Sequence, residues 1–144
     1  MKRKNGQKAL VTGGAGFVGP HLIRLLLGEG WEVAAIDNFS VGPREHVACF
    51  EGDPRFEIFE GDITDPLFVK KAVASSRPDV VYHLAALHFI PYCSAHPGET
   101  VSVNALGTQR LLEALEGCPP ERFILASTGD VYVPSLSPHQ ETDP

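Results

Sequence analysis

ALVTGGAGFVGPHL, residues 9–22, carries three glycines at intervals of three residues, Gly13, Gly16 and Gly19, between an apolar run and a helical pattern. In that setting the first glycine allows a tight turn out of a strand. The second lets a pyrophosphate approach the backbone, and the third lets the helix pack closely. Free N–H groups at the start of the helix favour phosphate. The stretch predicts a dinucleotide-binding turn, with a glycine-rich turn that holds no ligand as the alternative.

Apolar runs alternate with helical patterns along the rest of the chain. The expected strands are residues 8–12, 32–37, 56–62, 79–86 and 122–127, and the expected helices are 17–30, 66–76 and 97–116, with a short helix near 45–49. Such alternation forces parallel pairing and right-handed crossovers. We therefore predict an α/β fold, a doubly wound parallel sheet (Rossmann fold) with five strands in the order 3-2-1-4-5. Ligands are expected at the carboxyl ends of strands 1 and 4, where that order reverses.

The helical patterns carry further expectations. Apolar residues of the first helix are expected on one buried face, namely Phe17, Val18, Leu22, Ile23, Leu25 and Leu26. Asp65 is expected to cap the helix 66–76. Residues 1–128 are predicted to form one nucleotide-binding domain. Residues 129–144 are predicted to be an irregular loop, because they contain three prolines and no hydrophobic period.

Composition excludes several classes of partner. The formal net charge of −6 argues against nucleic-acid binding, which needs clustered cations. No apolar run approaches the roughly 18 residues of a membrane span, and no signal peptide is visible, so a cytoplasmic protein without a membrane partner is expected. The three cysteines are odd in number and widely spaced, as reduced thiols would be.

The motif Thr-Gly-x-x-Gly-x-x-Gly at residues 12–19 resembles that of the extended short-chain dehydrogenase/reductase family, in particular its NAD-dependent sugar-nucleotide epimerases and dehydratases. The resemblance runs from about residue 8 to residue 144. It implies oxidation of a nucleotide-sugar hydroxyl through bound NAD. Phe17 and Val18 lie inside the motif, and the resemblance implies that they bind the cofactor together with the glycines.

Acidic residues follow strands 2 and 3. An acid at Asp37, the end of strand 2, accepts hydrogen bonds from the adenosine ribose and repels a 2′-phosphate, which favours NAD over NADP; a turn-forming Asp is the alternative. DNFSVG is similar to the family's Asp-Asn-x-x-x-Gly, which implies that Asn38 helps to hold the ribose and phosphate. GDITD, residues 61–65, resembles a family signature in which Asp62 contacts the adenine amino group and Ile63 the ring edge.

Two further motifs agree with the family. VVYHLAAL is similar to its strand-4 motif, which implies that Leu84, Ala85 and Ala86 line the cofactor path. His83 is expected to be a hydrogen-bonded core histidine and not an acid or base, because its strand is apolar. VNALGT resembles the family's Asn-x-x-Gly-Thr, which places Asn104 on the inner face of its helix, bonded to main-chain groups near the ends of strands 4 and 5.

LASTGDVY resembles the segment that carries the family's catalytic Ser or Thr, at Thr128. The resemblance implies that this hydroxyl bonds the sugar hydroxyl being oxidised or relays its proton; a Thr that merely ends a strand is the alternative. Dehydratases carry Thr-Asp-Glu here, whereas this chain has Thr-Gly-Asp, with Asp130 as a second catalytic candidate. The difference disfavours a 4,6-dehydratase and leaves an epimerase, a decarboxylase-like enzyme or a reductase open.

The segment 88–97 is expected to be a substrate-facing loop, in which His88 is a candidate to face the substrate. Its His and Cys residues lack zinc spacing, so no metal is expected.

The family's base is the tyrosine of Tyr-x-x-x-Lys, and none of Tyr82, Tyr92 and Tyr132 is followed by Lys four residues later. The substrate lobe and the helices through which relatives form homodimers are likewise expected outside these 144 residues. We therefore expect the NAD-binding part of a longer nucleotide-sugar enzyme, inactive alone. A non-catalytic dinucleotide sensor and an NADP-linked reductase are the alternatives. A Tyr-x-x-x-Lys motif in the reading frame beyond Pro144 would support the enzyme, whereas a stop codon there would support the sensor.

Overall fold

The computed structural model describes residues 6–128, 131–133 and 138–142. Its strands are β1 (Lys8–Thr12), β2 (Glu32–Asp37), β3 (Phe56–Glu60), β4 (Val80–His83) and β5 (Arg122–Leu125). They form one sheet in the order β3-β2-β1-β4-β5, and every neighbouring pair is parallel. The predicted fold class and strand order are confirmed.

Helices cover both faces of the sheet. They are α1 (Gly19–Gly28), α2 (Glu45–Ala48), α3 (Pro66–Ser76), α4 (Ile90–Ala95), α5 (Pro97–Val101) and α6 (Thr108–Leu115). A π-helical segment, Ser102–Gly107, joins α5 to α6 and is called the π turn below. Asp65 caps α3 as predicted, because its side chain accepts hydrogen bonds from the amides of Leu67 and Phe68.

Two buried clusters hold these layers together, and β1 contributes to both. Ala9 and Val11 pack with Ile23 of α1, whereas Leu10 packs on the other face with Leu111 of α6. Successive side chains of a strand point to opposite faces of the sheet, so a central parallel strand is apolar throughout. Burial on both faces fixes the carboxyl end of β1, from which the glycine turn starts.

The predicted apolar face of the first helix is partly wrong. Phe17 is 89% exposed and Leu25 is 61% exposed. Phe17 and Val18 precede α1, which begins at Gly19, so the helical period does not apply to them. Leu25 lies two residues beyond the buried Ile23, about 200° around the helix and therefore on its outer side.

Several element bounds also differ from the prediction. β3, β4 and β5 end two or three residues early, and β4 stops at His83. Beyond β4 the backbone leaves the sheet, and the side chain of Asn104 bonds both the N–H and the C=O of Leu87. The segment 88–97, expected to be a loop, contains α4, whose six residues are too few to show a period. The helix expected at 97–116 is α5, the π turn and α6, because a π-helical segment has no distinct sequence pattern.

Candidate functional site

A cleft of about 630 Å³ opens where β1, β2 and β4 end, within the usual range for small-molecule sites. Twelve of the thirteen residues predicted to bind the cofactor line it, namely Gly13, Gly16, Phe17, Val18, Gly19, Asp37, Asn38, Asp62, Ile63, Leu84, Ala85 and Ala86. Asn104 is the exception. The fold therefore brings four distant parts of the sequence to one surface, at the point where the strand order reverses.

The glycine turn has almost no room for side chains. Gly13 has a φ of 71°, and a Cβ there would lie 2.9 Å from the backbone nitrogen of Ala85. A Cβ on Gly19 would lie 2.4 Å from the carbonyl oxygen of Gly14. The positive φ explains the first glycine as predicted, whereas the close contacts of the third are with the backbone of the turn itself and not with the strand. The approach of a pyrophosphate to Gly16 stays a prediction.

The carboxylate of Asp37 links β2 to the glycine turn. Its Oδ2 accepts a hydrogen bond from the Ala15 amide at 2.8 Å, and its Oδ1 accepts one from the Phe39 amide at 2.8 Å. Asp37 is only 9% exposed. Each carboxylate oxygen has a second lone pair, so the group can still accept hydrogen bonds from ligand hydroxyls.

Two residues that the sequence reasoning did not assign also hold the glycine turn. A Cβ on Gly42 would lie 2.0 Å from the carbonyl oxygen of Ala15. The Nδ1 atom of His46 lies 2.8 Å from that same oxygen and must donate to it, since a carbonyl only accepts. Gly42 is the glycine of the DNFSVG motif and could have been found there. No sequence pattern indicated His46, because its partner Ala15 lies 31 residues away.

Asn38 and Asp62 meet across the cleft, where Asn38 Nδ2 donates to Asp62 Oδ2 at 2.8 Å. Asp62 Oδ1 accepts a hydrogen bond from the Thr64 amide at 2.8 Å. Partial burial acts to raise the pKa of Asp62, but the hydrogen bonds from Thr64 and Asn38 outweigh it and lower that pKa. Asp62 is therefore ionised at neutral pH and acts as an acceptor at this end of the cleft.

Ile63 lines the cleft, but most of its side chain is in the core. It is 5% exposed, and a Cβ on Gly107 of the π turn would lie 2.7 Å from its Cδ1 atom. The close packing of Ile63 on Gly107 sets the distance between the segment after β3 and the π turn. Its contact with an adenine ring stays a prediction.

Asn104 supports the cleft from behind. Its Oδ1 accepts a hydrogen bond from the Leu87 amide, and its Nδ2 donates to the Leu87 carbonyl oxygen, both at 2.8 Å. The predicted main-chain bonding is therefore present on the segment after β4. The expected inner, buried position is wrong, because Asn104 is exposed. It lies in the π turn, whose altered winding displaces it from the face that a regular helix would bury.

His83 ends β4 as a buried residue with both ring nitrogens hydrogen-bonded. It is 2% exposed, with Nδ1 2.6 Å from Thr12 Oγ1 and Nε2 2.9 Å from Thr108 Oγ1. Burial lowers the pKa of His83, so the ring is neutral at neutral pH. The interpretation as a core histidine is confirmed.

The other end of the cleft is lined by Leu87, His88, Glu99, Val103 and Ala126. Glu99 accepts a hydrogen bond from the Tyr92 hydroxyl at 2.8 Å, and this bond raises the pKa of Tyr92. Because His88 is one of the residues that line the cleft, it faces the cleft. Its contact with a substrate stays a prediction.

Of the two catalytic candidates, Thr128 is not brought into this arrangement. Thr128 is exposed, follows β5 and lies outside the lining of the cleft. Asp130 lies outside the described residues. The described part of the chain thus assembles the residues predicted to bind a cofactor, while the catalytic assignments remain predictions.

No described helix has the length and apolar character needed to cross a membrane. Within residues 6–128, 131–133 and 138–142, His, Cys, Asp and Glu side chains form no group of three that could hold a metal ion. Cys49, Cys93 and Cys118 are free thiols.

A glycine turn after β1, an acid at the end of β2 and an open cleft at the reversal of strand order define a Rossmann-type dinucleotide-binding domain. The particular family follows from comparison with known proteins. The chain belongs to the GDP-mannose 4,6 dehydratase family, whose model matches residues 10–144. This places it in the extended short-chain dehydrogenase/reductases of the NAD-dependent epimerase/dehydratase type, as the sequence resemblance implied.

Curated relatives include UDP-glucuronic acid decarboxylase 1 of Arabidopsis thaliana, 38% identical over 136 residues, which cover 94% of this chain and 29% of that protein. The protein of the same name from Danio rerio is 35% identical over 142 residues, covering 98% of this chain and 32% of its own length. The solved UDP-glucose 4-epimerase of Thermus thermophilus in complex with NAD superposes with a TM-score of 0.84 at 37% identity, covering 96% of this chain and 44% of that one. The chain spans less than half the length of each of these relatives.

Proposed function

We propose that this chain is the NAD-binding portion of an enzyme that oxidises a nucleotide-sugar hydroxyl through bound NAD. The observation that carries the proposal is the Asp37 carboxylate, held in the cleft beside the glycine turn by the amides of Ala15 and Phe39. An acid in that position accepts hydrogen bonds from the ribose of a dinucleotide. Similar proteins of known structure from Thermus thermophilus and Brucella ovis are complexes with NAD, which supports the same ligand here.

The lining of the cleft suits each part of that ligand. The glycine turn leaves space for a diphosphate that side chains would fill, and the N-terminus of α1 supplies a favourable dipole. We assign the ribose to Asp37 and Asn38, the adenine to Asp62 and Ile63, and the nicotinamide half to the segment Leu84–Ala86. Bound NAD would supply the hydride acceptor, and the protein would supply orientation.

The charges in the cleft favour NAD over NADP. Its ionisable acids are Asp37, Asp62 and Glu99, and no lysine or arginine stands among the described residues of its lining. The 2′-phosphate of NADP would add negative charge beside Asp37 without a cation to balance it. This charge distribution argues against the NADP-linked reductase.

For the chemistry we propose that Thr128 hydrogen-bonds the sugar hydroxyl and that Asp130 contacts the substrate. The 144 residues contain no tyrosine followed by lysine at the fourth position, so we assign the base and the sugar-binding part to the remainder of a longer protein. In that protein residues 1–128 form the NAD-binding domain and residues 129–144 lead from it. The names of the relatives support a nucleotide sugar such as UDP-glucose or UDP-glucuronic acid as substrate.

For the longer protein we further propose a cytoplasmic homodimer. Exposed apolar side chains on α5 and α6, Val101 and Leu112, would be covered in such an assembly. Sedimentation of the longer protein tests this proposal, and a monomer at micromolar concentration would contradict it.

Calorimetric titration of the 144-residue chain with NAD and NADP tests the binding function. We expect NAD to bind at least about tenfold more tightly than NADP, and we expect the chain to leave UDP-glucose and UDP-glucuronic acid unchanged. Circular dichroism confirms that the titrated protein is folded. Folded protein that binds neither coenzyme would refute the proposal. Turnover by this chain alone would refute the assignment of the base to another part.

A further inference from the structure

A continuous set of hydrogen bonds runs behind the cleft from one wall to the other. Thr12, the last residue of β1, bonds His83 at the end of β4, and His83 bonds Thr108 at the start of α6. Thr108 Oγ1 in turn donates to the Asn104 carbonyl oxygen at 2.7 Å. Thr12 and His83 are buried, with 0% and 2% exposure. We call Thr12, His83 and Thr108 the histidine bridge.

The hydrogen bonds of the two hydroxyls determine the tautomer of the ring. Thr108 gives its single hydroxyl proton to the Asn104 carbonyl oxygen, so it accepts from His83, and Nε2 carries a proton. The Ala85 amide donates to Thr12 Oγ1 at 3.2 Å, which leaves the Thr12 hydroxyl proton for an unprotonated Nδ1. The opposite tautomer would leave the buried Thr12 hydroxyl proton without its acceptor, at a cost in free energy.

Each end of the histidine bridge holds a backbone segment that lines the cleft. On one side, the Thr12 hydroxyl accepts a hydrogen bond from the Ala85 amide. The nitrogen of that amide would lie only 2.9 Å from a Cβ on Gly13, so it packs against the glycine turn. On the other side, the Asn104 side chain bonds both polar backbone groups of Leu87. The segment after β4 is thus held at two points, directly by Thr12 at Ala85 and through the π turn at Leu87, and the imidazole ring joins these two supports.

We infer that His83 is a positioning residue, which as the neutral Nε2–H tautomer ties the π turn to the end of β1 and so holds the segment Leu84–Leu87 at the distance from the glycine turn that the dinucleotide requires. The inference rests on the proposed function, because it names the dinucleotide as the ligand whose binding depends on that spacing. His83 itself does not contact the ligand in this proposal.

The tautomer is measurable in the free protein. Nitrogen-15 NMR of the imidazole rings distinguishes a protonated from an unprotonated ring nitrogen. We expect His83 to show a protonated Nε2 and a bare Nδ1. His46 is the internal control, because its Nδ1 donates to Ala15 and must therefore carry a proton. A protonated Nδ1 on His83 would overturn the inference, and this measurement needs no ligand.

A matched pair of variants tests the positioning role. Thr108→Val removes the hydroxyl at nearly constant volume, whereas Thr108→Ser keeps it, and Thr108 lies outside the lining of the cleft. We expect Thr108→Val to weaken NADH binding by at least about fivefold and Thr108→Ser to stay within about twofold of the wild type. Thr108→Val should also shift the amide resonances of Ala85 and Leu87, which lie beyond the two ends of the bridge.

The outcomes separate the two proposals. If folded Thr108→Val binds NADH as the wild type does, or if its Ala85 amide does not respond, the positioning role is wrong while the binding function stands. If the wild type binds no NADH, the proposed function fails, and the positioning role fails with it even where NMR finds the Nε2–H tautomer. If Thr108→Val does not fold, the tautomer of His83 in the wild type and the NADH affinity of Thr108→Ser decide whether the positioning role holds.

Discussion

The carboxylate of Asp37 lies 2.8 Å from the backbone amide of Ala15, a residue 22 positions earlier in the chain. This hydrogen bond joins the end of β2 to the middle of the glycine turn. The same carboxylate accepts from the Phe39 amide. One buried acid therefore both shapes the turn and offers its remaining lone pairs to a ligand.

Asp37→Ala should weaken NAD binding by at least about tenfold and erode the preference for NAD over NADP, because the ribose acceptor and the repelling charge are both removed. Unfolding should become easier by about 1–3 kcal/mol, since two amides lose their acceptor. Calorimetry with both coenzymes and urea denaturation measure these effects. Glu57→Gln, which removes one exposed charge from β3, is the control and should change neither. Unaltered discrimination in Asp37→Ala would contradict the assignment.

Gly42→Ala should destabilise the glycine turn, because the new Cβ would lie 2.0 Å from the Ala15 carbonyl oxygen, a backbone atom that cannot rotate away. We expect a loss of about 1–3 kcal/mol in the free energy of unfolding, together with weaker NAD binding. Gly28→Ala is the matched control, because a Cβ there meets open space at the end of α1. If the two variants unfold at the same denaturant concentration, the close approach of Gly42 to the turn is not a real constraint.

Gly107→Ala should lower the melting temperature, since its Cβ would lie 2.7 Å from Ile63 Cδ1 and would push the π turn away from the segment after β3. A cost of about 1–3 kcal/mol is typical of overpacking a core. Gly98→Ala in α5, where a Cβ meets nothing within 4 Å, should be neutral or slightly stabilising. Calorimetric scans compare the two. A Gly107→Ala protein as stable as Gly98→Ala would show that Ile63 repacks freely.

The protein should become less stable in mild acid, because the folded state disfavours the protonated form of His83. Burial lowers the pKa of His83 below its ordinary value of 6.5, so between that lower pKa and 6.5 the unfolded chain binds more protons than the folded one. The contribution of His83 to the free energy of unfolding is therefore complete above pH 6.5 and is lost as the pH falls towards the folded pKa. The slope from this one group reaches at most about 1.4 kcal/mol per pH unit.

Urea denaturation of the wild type and of His83→Asn at a series of pH values measures this slope. The variant should lack the component that belongs to His83, whereas every other pH-dependent component should appear in both proteins. Parallel pH profiles would show that the folded state does not disfavour the charged form of His83.

The strand order and the location of the cleft were predictable because both follow from local patterns. Five apolar runs separated by helical segments permit only parallel pairing, and the glycine motif at residues 12–19 marks β1 as the strand that leads into the site. Element ends were less predictable. β4 ends at His83, and beyond it the Leu87 backbone bonds a side chain of the π turn, a partner that no periodicity in residues 79–86 indicates.

The sequence by itself determined the doubly wound sheet, the glycine turn and the acid beside it, because these depend on residue types a few positions apart. Only the tertiary structure decided that His46 meets Ala15, that Asn104 meets Leu87 and that His83 meets Thr108. These partners are 31, 17 and 25 residues apart. Such contacts arise where separate elements pack together, so their geometry depends on the whole fold and leaves no periodic trace in the chain.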